Sequence, residues 1–269
     1  METLSDQTRW YDRIWVAFIF FTRLPLWRLH EPPRECYKTV VEHWPLTGWL
    51  TGGAMAATLY IGSMYLPYII SVLLAITVRL LITGALHEDG LADFFDGFGG
   101  GTDRKRILAI MKDSHIGTFG VLGLILYILL LAMALFSMPP VLASLAIIAA
   151  DPFAKMLSAG LITLPYARSE EEAKAKVVYR RLGWKIILSL AFQGLLPVAA
   201  VFFIFQFSSL RSGAGGAFFI FLLPCFVMLC LYFYIRHRLQ GYTGDCCGAV
   251  CLLVELSTYL VVCALAIHS

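Results

Sequence analysis

One short stretch of the chain concentrates the side chains that could carry out chemistry. In "HEDGLADFFDGF", residues 87–98, three aspartates occur at Asp89, Asp93 and Asp96. A helix turns 100° per residue, which places these carboxylates on one narrow stripe, with leucine and phenylalanine on the opposite face. Carboxylates so close together repel each other unless a multivalent cation neutralises them. Because hard oxygen ligands favour Mg²⁺, we predict a Mg²⁺ site on the stripe, with waters and substrate phosphates completing the octahedron.

The residues around the stripe favour this interpretation over a solvated acidic helix face, which composition alone would favour. Glycines permit close backbone approach and a sharp turn, and five of them surround the aspartates: Gly90, Gly97, Gly99, Gly100 and Gly101. Thr102 is predicted to cap the next helix, "TDRKRILAIMKDS". That helix would bring four cations beside the stripe: Arg104, Lys105, Arg106 and Lys112. Bound metal and basic side chains together predict a cradle for a pyrophosphate.

Two residues are candidates for the general base. On a continuous helix His87 points away from the carboxylates, so it joins the site only if Gly90 breaks the helix; otherwise it is a histidine at the membrane interface. Asp245 lies in "GYTGDCCGAVCLLVE", residues 241–255, between Gly244 and a cysteine. A glycine-flanked aspartate at the start of a helix is typical of a turn that contacts a ligand, and equally of a helix cap.

Four further charges fall within apolar stretches. An isolated charge there would cost roughly 2.5 to 3.5 kcal/mol on insertion scales, so Glu255 is expected to face the interior of a helical bundle. Arg79 lies about two turns before the aspartate motif, where a phosphate or a carboxylate is its expected partner. Asp151 and Lys155 are spaced i, i+4 and are predicted to pair on one helix.

The elements that must position these residues are membrane helices. Of the 269 residues, 59% are hydrophobic and 14% are charged, against about 25% charged in soluble domains. No linker divides the chain, so residues 1–269 are predicted to form one all-α domain, a polytopic helical bundle. Seven spans of about 20 residues are predicted: 46–68, 69–87, 116–137, 140–164, 184–207, 215–235 and 248–267. Residues 12–27 are predicted to form an interfacial or re-entrant helix.

The charges predict an orientation in the membrane. With a cytoplasmic N-terminus, residues 1–45 and the inside loops, together with Lys185 just past one of them, carry 18 of the 21 lysines and arginines, as the positive-inside rule expects. Both motifs then face the cytoplasm from a prokaryotic cell (inner) membrane. The net charge of +3 is too balanced to indicate binding of nucleic acid. The charged segment 165–183 is predicted to lie on the membrane surface.

The motifs resemble one known family over nearly the whole chain. "FFTRLP", "TGALHEDGLADFFDGF", "IMKDSHIGTFG", "YAR" and "GYTGDCCGA" occur in the order and spacing of cobalamin synthase, the adenosylcobinamide-GDP ribazoletransferase family. The resemblance implies a Mg²⁺-dependent membrane enzyme that joins adenosylcobinamide-GDP to α-ribazole, or to its 5′-phosphate, and releases GMP. In and around these motifs we predict that seven residues contact substrate: Arg79, Arg104, Lys105, Lys112, Asp113, Ser114 and Glu255. Two positions depart from the family pattern: Glu88, where leucine is common, and Lys155, near an expected arginine.

Other functions remain open at this point. A CDP-alcohol phosphotransferase also displaces a nucleotide with an alcohol at aspartate-rich membrane helices, but its "DG...AR" core is only half met by "DGLAD". A transporter would account for the charges within spans, although no inverted repeat is evident. The sequence also leaves open whether the partners include a second copy of the chain or other enzymes of the cobalamin pathway.

Overall fold

The structure, a computed structural model, describes residues 8–168, 179, 182–207 and 216–267. These residues form ten α-helices and no strand. The helices are α1 (Trp10–Phe21), α2 (Trp44–Ser63), α3 (Tyr68–Thr83), α4 (Leu86–Gly100), α5 (Arg104–Ile110), α6 (Thr118–Phe136), α7 (Pro140–Ser158), α8 (Trp184–Phe207), α9 (Gly216–Leu239) and α10 (Gly244–Ile267). Short 3₁₀ segments occur at Leu26–Arg28, Arg34–His43 and Ala159–Thr163. The predicted all-α class is confirmed.

Several helices are long and apolar enough to cross a membrane. Within the described residues five meet this condition alone: Thr118–Phe136, Pro140–Thr163, Trp184–Val201, Phe219–Leu239 and Gly244–Ala266. The bent pair formed by α3 and α4 would make a sixth. The 20-residue α2, rich in glycine and threonine, is not among them, so the predicted count of seven stays a prediction. Most of the predicted surface segment 165–183 lies outside the described residues.

A sharp bend separates α3 from α4. The two helices meet at 91°, and both connecting residues adopt left-handed backbone conformations, Gly84 with φ 63° and Ala85 with φ 55°. The amide of Ala85 donates to the carbonyl of Leu80 at 3.0 Å, which closes the end of α3. The predicted span 69–87 is therefore wrong at its C-terminal end, because the helix stops at Thr83. The bend directs the aspartate motif of α4 away from the axis of α3.

Helices α7 and α10 form the centre of the bundle. Helix α7 packs against α2, α8 and α10, and α10 packs against α4, α7 and α9. Helix α4 lies between α10 and α6. The outer helices α6, α8 and α9 leave most of their surface uncovered, as helices facing lipid would. This arrangement brings the first aspartate motif and the "GYTGD" motif to one place.

The predicted pair on α7 is confirmed. The ammonium of Lys155 pairs with Asp151, and both side chains are almost fully buried. The other carboxylate oxygen of Asp151 accepts a hydrogen bond from the hydroxyl of Thr51 on α2 at 2.6 Å. The two buried charges therefore satisfy each other and join α7 to α2.

Candidate active site

The candidate site lies where the beginnings of α4 and α10 meet. A Cβ atom added at Gly90 would lie 2.9 Å from the carbonyl oxygen of Asp245, and one added at Gly248 would lie 3.2 Å from the Cα atom of His87. Real Cβ atoms do not approach other atoms as closely as 2.9 Å, so glycine is required at position 90 for this contact. The two predicted motifs therefore touch through their backbones.

A cavity of about 250 Å³ opens beside this contact. Aromatic side chains form much of its wall, and charged side chains from three different segments reach it. Its lining comprises Phe20, Phe21, Val41, Trp44, Leu86, His87, Asp89, Tyr166, Arg168, Tyr179, Gly244, Asp245, Cys247 and Gly248. The cavity unites Asp89, His87 and Asp245, which sequence analysis had assigned to two separate motifs.

Three rings on the cavity wall lie nearly parallel. The rings of Phe21 and Trp44 stack with centroids 5.1 Å apart and planes 11° apart. The imidazole of His87 lies 5.9 Å from the Trp44 ring at 14° and 6.2 Å from the Phe21 ring at 9°. Such offset stacking is a favourable arrangement of aromatic rings. The three residues come from three segments and together form one aromatic stack on the cavity wall.

His87 reaches the cavity by a route that the sequence analysis did not foresee. Helix α4 runs without a break through Gly90, so the predicted condition for its participation is wrong. Gly248 of α10 lies against the backbone of His87, while the imidazole stacks on Phe21 and Trp44 at the cavity wall. His87 is 5% exposed, and its Nε2 atom has no hydrogen-bond partner within the described residues. A buried polar atom without a partner on a cavity wall is a position for a ligand atom.

Asp245 is not the cap of α10. The hydroxyl of Thr243 accepts the amide hydrogen of Cys246 at 3.3 Å, which is the contact that a helix cap makes. The carboxylate of Asp245 lines the cavity and lies 3.9 Å from the guanidinium of Arg168, with both side chains buried. The Nε atom of Arg168 has no hydrogen-bond partner within the part of the chain that is described.

Arg168 and the two tyrosines of the cavity were missed as site residues. Burial raises the pKa of Tyr166 above its usual value and raises that of Tyr179 further, so both remain neutral phenols near pH 7. The letters "YAR" carried the signal for Tyr166 and Arg168, but no helical spacing connects them to either aspartate motif. Their place in the site follows from the fold alone.

The aspartate stripe divides into two parts in the structure. Asp89 is exposed and lines the cavity, and Asp93 is half-buried one turn further along α4. Asp96 is buried, and its two carboxylate oxygens accept the amide hydrogens of Gly117 at 2.7 Å and Gly120 at 2.8 Å. Asp96 thus anchors the beginning of α6, a role that the spacing did not predict.

This division bears on the predicted Mg²⁺. Asp96 lies seven helical steps after Asp89, about 10 Å further along the axis. Mg²⁺ binds oxygen at roughly 2.0 to 2.1 Å, so the two carboxylates are too far apart to share one ion. No group of three or more acidic, histidine or cysteine side chains in the described ranges is arranged to hold a metal. Asp89 and Asp93 do fit the usual pattern for Mg²⁺, which takes one or two carboxylates and completes its sphere with water and substrate phosphates. The donors present therefore suit Mg²⁺ with two aspartates rather than three.

The predicted basic cradle is partly used for packing. The N-cap of α5 is Asp103, not Thr102, because its carboxylate accepts the amide hydrogen of Arg106 at 3.0 Å; this bond lowers the pKa of Asp103. The guanidinium of Arg104 donates to the carbonyl oxygens of Leu239 at 2.8 Å and Ala167 at 2.9 Å. Arg104 therefore joins α5 to the end of α9, and its predicted contact with substrate stays a prediction.

The remaining predicted residues of this segment lie on the surface. Lys105, Lys112, Asp113 and Ser114 are all exposed. A hydrogen bond with the side chain of His115 and another from its amide lower the pKa of Asp113. None of the four lines the cavity, so their predicted contacts with substrate stay predictions.

Arg79 and Glu255 are partners of each other. The Nη1 atom of Arg79 donates to both carboxylate oxygens of Glu255, at 2.8 and 2.9 Å. Nη2 donates to the hydroxyl of Tyr127 at 2.7 Å and lies 3.4 Å from Glu88. The expected carboxylate partner of Arg79 is thus Glu255. Neither residue lines the cavity; their observed contacts are structural, and their predicted roles in binding substrate stay predictions.

Comparisons with known proteins agree with the arrangement of these motifs. The family model of cobalamin-5-phosphate synthase matches residues 13–263. A protein of Leptospira interrogans named adenosylcobinamide-GDP ribazoletransferase is 35% identical over 265 residues, covering 94% of this chain and 95% of its own. Proteins of the same name from Leptothrix cholodnii and Shewanella baltica (strain OS155) are 36% and 34% identical, with 91% and 96% of this chain covered and 92% and 97% of their own. No solved structure matches. The chain therefore belongs to the cobalamin-5-phosphate synthase family.

Proposed function

We propose that this protein transfers the cobinamide phosphoryl group of adenosylcobinamide-GDP to α-ribazole or its 5′-phosphate and releases GMP. The name of its relatives, adenosylcobinamide-GDP ribazoletransferase, supports the two substrates in this proposal. The observation that carries the proposal for this chain is the cavity in which Asp89, His87, Arg168 and Asp245 converge from separate motifs. Transfer between two bulky substrates needs acidic and basic groups at one point, and this cavity supplies them.

The reaction exchanges one bond for another. A ribose hydroxyl oxygen of ribazole attacks the phosphorus atom bonded to the cobinamide arm, and a new P–O bond forms. The bond from that phosphorus to the bridging oxygen breaks, and GMP leaves with the bridging oxygen. The hydroxyl proton passes to a base, for which we propose the carboxylate of Asp245 because it lines the cavity and is not used as a helix cap. His87 is the alternative base.

Charge compensation is the second requirement of such a transfer. The guanidinium of Arg168, 3.9 Å from Asp245, would stabilise negative charge on the transferred phosphoryl group. Asp89 and Asp93 would hold Mg²⁺, which supplies neutralisation of the pyrophosphate when bound. Asp96 is a positioning residue in this scheme, since it fixes α6 against α4 through its two amide contacts.

The positive-inside bias of the sequence supports a cytoplasmic site in a prokaryotic cell membrane. We propose that the N-terminus, the aspartate motif and the "GYTGD" motif all face the cytoplasm. The cavity would then be accessible to the soluble nucleoside, while the outer helices hold the enzyme in the bilayer.

The test is mass spectrometry of the products formed by purified detergent-solubilised protein. With adenosylcobinamide-GDP, α-ribazole and Mg²⁺, a cobalamin product and GMP should appear together in equal amounts, and both should disappear when a chelator is added. Asp89→Asn and Asp93→Asn should each abolish transfer, whereas Asp103→Asn, an exchange at an exposed cap, should leave it within twofold. No cobalamin from the native protein would overturn the function; full activity of both variants would overturn the metal assignment.

A control reaction addresses the rival enzyme class. CDP-diacylglycerol labelled in the nucleotide is offered in place of adenosylcobinamide-GDP. Release of labelled CMP with an alcohol acceptor would favour a CDP-alcohol phosphotransferase, and its absence together with cobalamin formation supports the proposal.

A further inference from the structure

We propose that the cavity bounded by Phe21, Trp44, His87, Arg168 and Asp245 is the acceptor subsite, in which the benzimidazole base of ribazole stacks on the aromatic wall. The inference rests on the proposed function and deepens it by placing one of the two substrates. It commits the cavity to the nucleoside and leaves the corrinoid nucleotide outside.

The wall has the shape that a planar base requires. Phe21, Trp44 and His87 present nearly parallel rings, with interplanar angles between 9° and 14°. Tyr166 and Tyr179 add further aromatic lining. Aromatic side chains bind nucleobases by stacking because every base has a π-face, and stacking tolerates a base with few polar groups. A benzimidazole bearing methyl groups is such a base.

The polar atoms of the cavity also match this base better than guanine. A benzimidazole riboside offers one free ring nitrogen, an acceptor, whereas guanine presents several donors and acceptors along its edge. The aromatic wall carries two buried nitrogens without a partner in the described structure, Nε2 of His87 and Nε1 of Trp44, and of these we assign His87 to the base. In its Nε2–H tautomer this imidazole would donate to the ring nitrogen. One donor facing one acceptor leaves no buried polar group of the base unsatisfied.

The charged end of the cavity suits the sugar. Asp245 and Arg168 lie 3.9 Å apart with side chains at least nine-tenths buried, and the Nε atom of Arg168 lacks a partner in the described residues. A carboxylate accepts from a ribose hydroxyl, and a guanidinium donates to a ribose oxygen or to a 5′-phosphate. This places the attacking hydroxyl beside the residue proposed as its base.

The volume of the cavity is too small for the donor, adenosylcobinamide-GDP, which we therefore place outside it. A cavity of about 250 Å³ accommodates a bicyclic base and a pentose but not a corrin macrocycle with its side arms. Asp89 is exposed although it lines the cavity, so it stands at the rim. The pyrophosphate of the donor would meet the acceptor hydroxyl at this rim, between Asp89 and Asp245.

Gly244 is a position on the cavity wall at which a side chain can begin without meeting its surroundings. It lines the cavity, and a Cβ atom added there would meet no atom within 4 Å. Gly53 in α2 has equally open surroundings and lies outside the cavity, so Gly53→Leu is the matched control. Trp44→Leu is a second variant that removes stacking surface instead of adding bulk.

The experiment combines direct binding with turnover. Binding of α-ribazole to purified protein without donor is measured by calorimetry, and KM for each substrate is measured by product mass spectrometry. Gly244→Leu and Trp44→Leu should weaken ribazole binding and raise its KM at least tenfold, while KM for adenosylcobinamide-GDP stays within twofold. Gly53→Leu should change neither. Inosine, a riboside with a more polar base, should bind at least tenfold more weakly than ribazole.

Each contrary result is distinguishable from failure of the proposed function. If the native enzyme makes cobalamin but Gly244→Leu and Trp44→Leu leave ribazole binding intact, the subsite is wrong and the function stands. If the variants raise KM for the corrinoid nucleotide instead, or if GMP competes with ribazole for direct binding, the cavity belongs to the donor. If the native protein forms no cobalamin, the function fails, and the subsite assignment fails with it.

Discussion

Arg79 on α3 donates two hydrogen bonds from one nitrogen to the two carboxylate oxygens of Glu255 on α10, at 2.8 and 2.9 Å. Both side chains are almost fully buried. The same guanidinium reaches Tyr127 on α6 and Glu88 on α4. One cation on α3 thus connects α4, which carries the aspartate motif, with α6 and α10. Charged groups at this depth persist only when they are paired.

Removing the cation should therefore destabilise the bundle strongly. Arg79→Met leaves Glu255 and Glu88 as buried acids without a cation, although Tyr259 still donates a hydrogen bond to Glu255. Breaking a buried ion pair costs about 3 to 5 kcal/mol. The double variant Arg79→Met/Glu255→Leu should recover part of that loss, because an apolar pair of similar volume is often neutral, while Glu88 remains buried without its cation. Thermal unfolding in detergent measures the stability of the single and the double variant, and Lys105→Met on the exposed face of α5 is the control. A double variant as unstable as the single one would contradict this account.

Asp96 and Asp89 should separate stability from catalysis. Asp96→Asn removes the charge that receives the amides of Gly117 and Gly120; hydrogen bonds to charged groups are worth about 1.5 to 3 kcal/mol. The variant should unfold at a lower temperature and retain measurable transfer, whereas Asp89→Asn should keep its unfolding temperature and lose transfer. Unfolding curves measure the stability of the two variants, and initial rates measure their transfer activity. Equal unfolding temperatures would show that Asp96 does not anchor α6.

The sequence predicted the helical segments well because each depends on local apolar composition. The predicted 116–137 and 184–207 correspond to α6, Thr118–Phe136, and α8, Trp184–Phe207. The pairing of Asp151 with Lys155 was also predictable, since their spacing places them on one side of a single helix. Features confined to one helix leave their pattern in adjacent residues.

Features that depend on contacts between helices were not predictable in this way. The bend before α4 rests on the left-handed backbone of Ala85, a conformation for which alanine gives no signal. Asp96 resembles Asp89 in sequence, and only the packing of α6 separates their environments. Arg168 joins the cavity from a distant segment. The chemistry of each carboxylate is therefore set by its neighbour in space rather than by its spacing.

The contact at Gly90 should be sensitive to a single methyl group. In Gly90→Ala the new Cβ would lie 2.9 Å and 3.0 Å from backbone atoms of Asp245, and a backbone cannot yield as a flexible side chain can. Overpacking of this kind costs about 1 to 3 kcal/mol, and it would push the start of α10 away from α4. Transfer should fall at least tenfold. Gly53→Ala, with open space around it, is the matched control in both rate and unfolding measurements; a Gly90→Ala enzyme as active as that control would refute the close contact.

Two substitutions in the bend between α3 and α4 should have opposite effects on the stability of the protein. Gly84→Ala places a side chain on a left-handed residue, at a cost of about 1 to 2 kcal/mol, and its Cβ would clash with the side chain of Arg23, so the unfolding temperature should fall. Ala85→Gly relieves the same strain at φ 55°, partly offset by about 0.5 to 1 kcal/mol from the more flexible unfolded chain, so stability should hold or rise. Thermal unfolding of both variants tests this, and equal losses would contradict the left-handed turn. The turn also sets the direction of α4, which carries His87 and Asp89. The rate of transfer by Gly84→Ala should therefore fall further than its loss of folded protein accounts for.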